Sequence, residues 1–271
     1  MRQDDRHAFD EALGYARRAA YAVGEYVGQE SFMQAREIRS LAVQAGVGPG
    51  TSVLDLCCGV AGPGRFITAE LGCSYLGVDS SASAVGLARR RAGDLPCRFE
   101  VGEVPPVPDG PFDVVLLLET LLAFADKESL LRGIASALRP GGRFGFTVEE
   151  GRPLTPAEQA AMPDADTVWL VPLPELLRCL QRAGLQVQWT AECSVSHLAT
   201  VDALTEAFLA DRSAIGRRVG EGAVDELLTA HRLWSDWLGS GRVRKFAIVA
   251  GKRAPTSPDA ERRDGSARSS R

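Results

Sequence analysis

A chain of 271 residues with 45% hydrophobic and 24% charged residues has ordinary globular composition and is long enough for one sizeable core. Its formal net charge of −4 gives no electrostatic reason to expect a nucleic-acid partner. No apolar run approaches the roughly 20 residues of a membrane helix, and Met1 to Arg6 lacks the apolar core of a signal peptide, so a cytoplasmic location is expected.

In chain order, Phe9, Leu13, Ala16 and Ala20 recur at helical spacing and predict a helix from Asp4 to Ala22. A loop with two glycines follows, Gly24-Glu25-Tyr26-Val27-Gly28-Gln29-Glu30. Ser31 and Gln34 have capping-box spacing, so a second helix is expected from Ser31, with Ile38, Leu41 and Val43 on its apolar side and Gly46 closing it. The apolar run Val53-Leu54-Asp55-Leu56 then breaks into Cys57-Cys58-Gly59-Val60-Ala61-Gly62-Pro63-Gly64-Arg65 and resumes as the apolar-periodic segment Phe66 to Leu71. That is a buried parallel strand, a tight turn and a helix start, whose free N–H groups suit an anionic or polar ligand. A nicotinamide-type turn would carry G-x-G-x-x-G, which is absent.

This stretch resembles motif I of the class I S-adenosylmethionine-dependent methyltransferases, written D-h-G-C-G-x-G-G-P-x-R, matching at Asp55, Cys58, Gly59, Gly62, Pro63 and Arg65. Cys57 and Ala61 replace its first two usual glycines; their side chains push on the ligand, which predicts a local difference in cofactor geometry. The resemblance implies a Rossmann-like α/β fold: a seven-stranded, mostly parallel sheet with helices on both faces. It also implies S-adenosylmethionine as cofactor, S-adenosylhomocysteine as product, and contacts from Asp55, Cys57, Cys58, Gly59, Gly62 and Pro63. The Tyr26 to Glu30 loop is similar to a Y-x-G-Q segment that folds over the cofactor in many small-molecule members; otherwise it is a plain linker.

Ser74 to Asp79 reads as a second strand ending on an acid, with Ser80 and Ser81 capping a helix through Val85, Leu87 and Ala88 to Arg91. The resemblance gives Asp79 the ribose hydroxyls, with Ser80 beside it; the alternative is a helix N-cap. After the third strand, Cys97 to Val101, Gly102-Glu103-Val104 stands where the family's acid meets the adenine amino group. Phe112 to Leu118 should lie mid-sheet. A helix from Asp126 to Leu138 should place Glu128 away from any acceptor. Leu138-Arg139-Pro140-Gly141-Gly142 resembles the family's L-[KR]-P-G-G turn before the fifth strand, Arg143 to Thr147. A helix from Pro172 to Gly184, a sixth strand from Leu185 to Glu192 and a last strand from Val243 to Ala250 complete the sheet. A helical stretch from Ser196 to Leu238 is inserted between the last two strands and should form a lid with the N-terminal helices.

The expected units are an N-terminal helical cap (1–48), a cofactor-binding core (49–193), a lid (194–240), a last core strand (241–250) and a disordered tail (251–271). In-line methyl transfer needs collinearity and exclusion of water, and a base only when the acceptor must lose a proton. Residues 119–124, Glu-Thr-Leu-Leu-Ala-Phe, follow the fourth strand and in this fold face the methyl group; Glu119 therefore counts as a cofactor contact too. Candidate bases are Glu119, His197, His231 and Tyr26, and candidate acceptor-lining aromatics are Trp169, Trp234 and Trp237. The leucines and phenylalanine of that turn predict an apolar, ring-containing small-molecule acceptor of natural-product type, methylated at carbon, nitrogen or oxygen. An RNA or protein acceptor, or a catalytically silent cofactor-binding module, is the alternative. The six cysteines form no C-x-x-C pair and read as reduced thiols; the three histidines are too dispersed to announce a metal, and none is expected. The N-terminal helices could pair between subunits, though no heptad supports it.

Overall fold

The computed structural model describes residues 3–253, with side chains from residue 11 onward. Seven strands form one sheet in the order β3-β2-β1-β4-β5-β7-β6. They are β1 (Ser52–Leu56), β2 (Ser74–Asp79), β3 (Cys97–Val101), β4 (Phe112–Leu117), β5 (Leu138–Glu150), β6 (Leu185–Glu192) and β7 (Arg244–Lys252). β1 to β5 run parallel, and β7 enters antiparallel between β5 and β6. The strand order reverses beside β1, and in open α/β sheets that crevice receives the ligand.

Alternation along the strands divides the core. Leu54, Leu56, Val115, Leu117, Phe144 and Phe146 face α5 (Lys127–Ala137) and α7 (Leu173–Arg182). Val53, Tyr75, Val114, Leu116 and Val249 face α2 (Ala35–Gln44), α3 (Gly62–Leu71) and α4 (Ala82–Ala92). Each such fully buried aliphatic side chain contributes about 2 kcal/mol. Over the strand ends, α1 (Gln3–Ala20) packs with α8 (Ser194–Ala210), α9 (Arg212–Val219) and α10 (Glu221–Ser240) through Leu13, Tyr21, Leu204, Phe208, Ile215 and Val224. The N-terminal segment is thus two pieces: α1 joins the lid and α2 docks on the sheet. No described helix is long and apolar enough to cross a membrane.

Several sequence expectations are corrected. The second helix starts at Ala35, not Ser31: the capping carboxylate is Glu37, which accepts from the Gln34 N–H at 2.8 Å. Ser31 is held in the preceding loop, where its carbonyl accepts from the Tyr21 hydroxyl. Val43 is 46% exposed, and Ile38, Leu41 and Ala42 make the packing face. The L-R-P-G-G turn is drawn into β5 as a register irregularity opposite Phe112 to Val114. A short α6 (Pro156–Ala161) was legible but missed: Thr155 caps it, with proline in its first turn and Glu158 as the reciprocal partner. The expected tail starts too early, because Gly251 and Lys252 pair with Arg143 and Leu185; residues 254–271 lie outside the described residues.

The motif turn has glycine-like geometry at two positions where it carries no glycine. Cys57 has φ +57° and Ala61 φ +53°, both in the left-handed region that favours glycine, so the chain bears strain at these two positions. Ala61→Gly is therefore expected to stabilise the fold by about 0.5–1 kcal/mol in urea denaturation, after allowance for glycine's unfolded-state entropy. An unchanged or lower midpoint would show that Ala61 is relaxed there.

Candidate functional site

The motif turn is fixed from two sides. On one, the Cys58 N–H donates to the Val78 carbonyl (3.1 Å) and the Gly59 N–H to Asp79 Oδ2 (2.8 Å). On the other, it meets the loop before α2: a Cβ on Gly62 would lie 2.3 Å from the Gly28 carbonyl, so only glycine permits this approach. That loop is held by Gln29, which is buried and accepts from the Val27 N–H (2.7 Å) while donating to the carbonyls of Glu25 and Met33 (both 2.8 Å).

Between turn, loop and lid lies a cavity of about 650 Å³ at the carboxyl ends of β1 to β4. Asp55, Cys57, Cys58, Gly59, Gly62 and Pro63 line it from β1 and the motif turn. Asp79, Ser80, Gly102, Glu103, Val104 and Glu119 line it from the next three strand ends. The loop before α2 contributes Gly28, Gln29, Glu30 and Ser31, as the Y-x-G-Q resemblance implies for 26–30, and Thr120 follows Glu119; Arg17 from α1 and Asp164 and Thr167 beyond β5 line it with no local sequence signal. Arg17 stands 3.6 Å from Glu30.

Asp79 is not an N-cap. Its Oδ1 accepts from the Ser81 N–H (2.8 Å) and Ser81 caps α4, so each carboxylate oxygen holds one backbone bond and retains acceptor capacity. Asp55 sits beneath the turn, accepting from the Tyr75 hydroxyl at 2.5 Å. Burial pushes its carboxyl up to about 7; the Tyr75 bond opposes this and the Asp79 charge adds to it. Between pH 4 and 7 the folded state therefore binds a proton that the unfolded chain does not, and stability from this group falls as pH rises through that window. Asp55→Asn is expected to exceed the wild type by about 1–2 kcal/mol at pH 8 and to lose that advantage toward pH 5, measured by urea titrations. Burial, with Asp79 and Asp55 nearby, pushes the Cys57 thiol up to about 12, so no thiolate nucleophile forms.

Glu119 reaches the cavity in the left-handed conformation (φ +61°), with its N–H donating to Thr147 Oγ1 at 2.7 Å. Its carboxylate is 2.7 Å from the buried ammonium of Lys245, which also bonds Glu149. Burial would raise the Glu119 carboxyl, but Lys245 and His197 hold it low; burial and the Glu119 charge leave Glu149 raised.

The other candidate bases do not line the cavity. Tyr26 packs on Tyr21, ring centroids 5.5 Å apart. His197 is 1% exposed, with Nε2 3.6 Å from Glu37 and Nδ1 3.8 Å from Glu119. His231 sits edge-on between Phe32 and Phe208, its Nδ1 2.8 Å from the Leu227 carbonyl, and burial lowers it to about 4. Nor do the expected aromatics line it: Trp234 and Trp237 stack edge-to-face within the lid, and Trp169 donates to the Asp166 carbonyl. Leu121 and Phe124 turn into the core, because the turn after β4 coils inward as a short 3-10 helix. Glu128 is in α5, paired with Arg132 and Arg182. All six cysteines are free thiols.

A family profile for a methyltransferase domain matches residues 53–142. The chain is 32% identical over 118 residues to phosphoethanolamine N-methyltransferase 3 of Arabidopsis thaliana, covering 42% of this chain but only 24% of that protein. It thus spans about a quarter of the length of that curated relative. Its fold is similar to a mycolic acid cyclopropane synthase at TM-score 0.76 and 13% identity, over 93% of this chain and 99% of that one. It is also 30% identical over 168 residues to an uncharacterised methyltransferase of Synechocystis sp., covering 59% of this chain and 76% of that protein. A glycine turn after β1, an acid at the tip of β2 and relatedness along three quarters of a methyltransferase have one common reading: the chain belongs to the class I S-adenosylmethionine-dependent methyltransferases.

Proposed function

We propose that the protein moves the methyl group of S-adenosylmethionine to a carbon, nitrogen or oxygen atom of a small-molecule metabolite, in natural-product chemistry. The observation that carries this reading is the Asp79 carboxylate, which orders the motif turn through Gly59 yet keeps spare acceptor capacity beside the cavity. That donor set fits the cofactor: Asp79 suits two vicinal hydroxyls, Glu103 an amino group, and the turn at Cys57 to Gly62 the amino-acid end. Gly102, Val104 and Ser80 would flank the nucleoside. When bound, S-adenosylmethionine supplies a methyl carbon activated by its sulfonium charge.

The chain's own residues hold, orient and exclude water. The Gln29-braced loop and the lid cover the strand ends, and Lys245 keeps Glu119 ionised. Glu119 is thus a weak base but a fixed negative charge, suited to stabilising positive charge that builds on the acceptor. Arg17, Glu30 and Thr167 suit an acceptor carrying polar groups, in place of the apolar lining expected from residues 121–124. Isothermal titration with S-adenosylmethionine and S-adenosylhomocysteine is expected to give one site per chain at micromolar Kd, and a metabolite screen should yield a product heavier by one methylene unit. No binding at millimolar cofactor would overturn the reading.

A further inference from the structure

Behind Glu119, outside the cavity lining, three groups of different chemistry converge without a shared partner. Cys193 is the N-cap of α8 and His197 lies one turn on, its N–H bonded to the Cys193 carbonyl at 3.0 Å, so both side chains leave the same face. Glu37 enters from the first turn of α2. The sulfur, an imidazole nitrogen and a carboxylate oxygen all lie within 4.8 Å of one another. His197 is 1% exposed and neither ring nitrogen has a hydrogen-bond partner, which is costly unless something else occupies them. The surroundings also favour a cation: carboxylate oxygens of Glu37 and Glu119 lie 3.6 and 3.8 Å from the two ring nitrogens of His197, while the Lys245 ammonium is taken up by Glu119 and Glu149.

We propose that Glu37, Cys193 and His197 form a binding site for a divalent transition-metal ion of the zinc type, with water as fourth ligand. A borderline-soft ion takes this mixed sulfur, nitrogen and oxygen set, whereas magnesium and calcium prefer oxygen alone. Bonds of about 2.0–2.3 Å require the three side chains to close by roughly an ångström. Outer-shell groups stand close by: Glu119 lies 3.8 Å from Nδ1, where the same closure would bring it into hydrogen-bond reach of the ring, and the Ser196 hydroxyl donates to the second oxygen of Glu37 at 2.5 Å. Binding displaces the Cys193 proton to solvent, leaving the thiolate as ligand. The ion would tie the first turn of the lid to α2 and hold Glu119 at the cavity wall. This inference does not depend on the methylation reading.

The test uses the full chain, stripped with a chelator and titrated with zinc chloride by calorimetry and with cobalt(II) by absorption. One equivalent of zinc per chain and a near-ultraviolet thiolate-to-cobalt band are expected. Cys193→Ser should abolish the band, and Glu37→Gln should weaken zinc binding at least tenfold, both variants retaining cooperative melting. If either variant fails to melt cooperatively, the other decides the proposal by its own readout. Substoichiometric zinc, a band that survives Cys193→Ser (as it would if Cys57 and Cys58 supplied the sulfur), or affinity unchanged in Glu37→Gln overturns the proposal. Cofactor affinity measured on the stripped protein reports separately on the methyltransferase site.

Discussion

Lys245→Met is expected to cost about 3–5 kcal/mol of folding free energy, a large fraction of the 5–15 kcal/mol typical of a domain. Lys245 is 2% exposed, and its ammonium serves both Glu119 and Glu149. Methionine fills a similar volume but leaves two buried carboxylates facing each other without the ammonium, His197 standing no nearer than 3.8 Å to Glu119. The pH dependence gives the sign. In the wild type the two carboxylates raise Lys245 above its ordinary value despite burial. That contribution is fully present below about pH 10.4 and is lost as pH rises through the folded value. In the variant both carboxyls must rise above their unfolded values, so its deficit should shrink as pH falls from 7 toward 4. Urea titrations across that range, with Glu119→Gln and Glu149→Gln added as rescuing changes, check it. A loss below about 1 kcal/mol at pH 7 would mean that water enters the cluster and solvates the charges.

Asp79→Ala is expected to raise the Kd for S-adenosylhomocysteine by about 100-fold or more. Two charge-assisted hydrogen bonds of about 1.5–3 kcal/mol each are lost, and each 1.4 kcal/mol is a factor of ten. The alanine variant also frees the Gly59 and Ser81 N–H groups, so the turn and the start of α4 loosen together. Asp79→Asn keeps one acceptor oxygen and should fall between the two. Calorimetry on variants whose urea midpoints are known separates lost contacts from lost fold. A Kd within threefold of the wild type would place the nucleoside elsewhere and remove the main support for the proposed site.

The strand tips and the turn between β1 and α3 were legible in the sequence because their cause is local. A short apolar run must be a buried strand, small residues must follow where backbone meets ligand, and the acids at Asp79 and Glu103 fall where strands end. The same locality explains the exact bounds of β6 and the helical nature of residues 194–240. What local pattern could not decide is which face of the turn after β4 is buried, and there the apolar residues went to the core and the cavity kept Glu119 and Thr120.

Only the tertiary structure brought Lys245 to Glu119 and Glu149, Gly62 against the Gln29-braced loop, and Arg17 to the cavity. Nothing near Lys245 in sequence marks it, because a buried charge is defined by partners contributed from distant strands. The sequence by itself determined the sheet and the acid-tipped strand ends, since periodicity and turn chemistry act within a few residues. The lid packing, the separation of Tyr26 and His197 from the cavity and the buried charge cluster were decided only when the helices closed over the sheet, because desolvation and pairing depend on the whole enclosure.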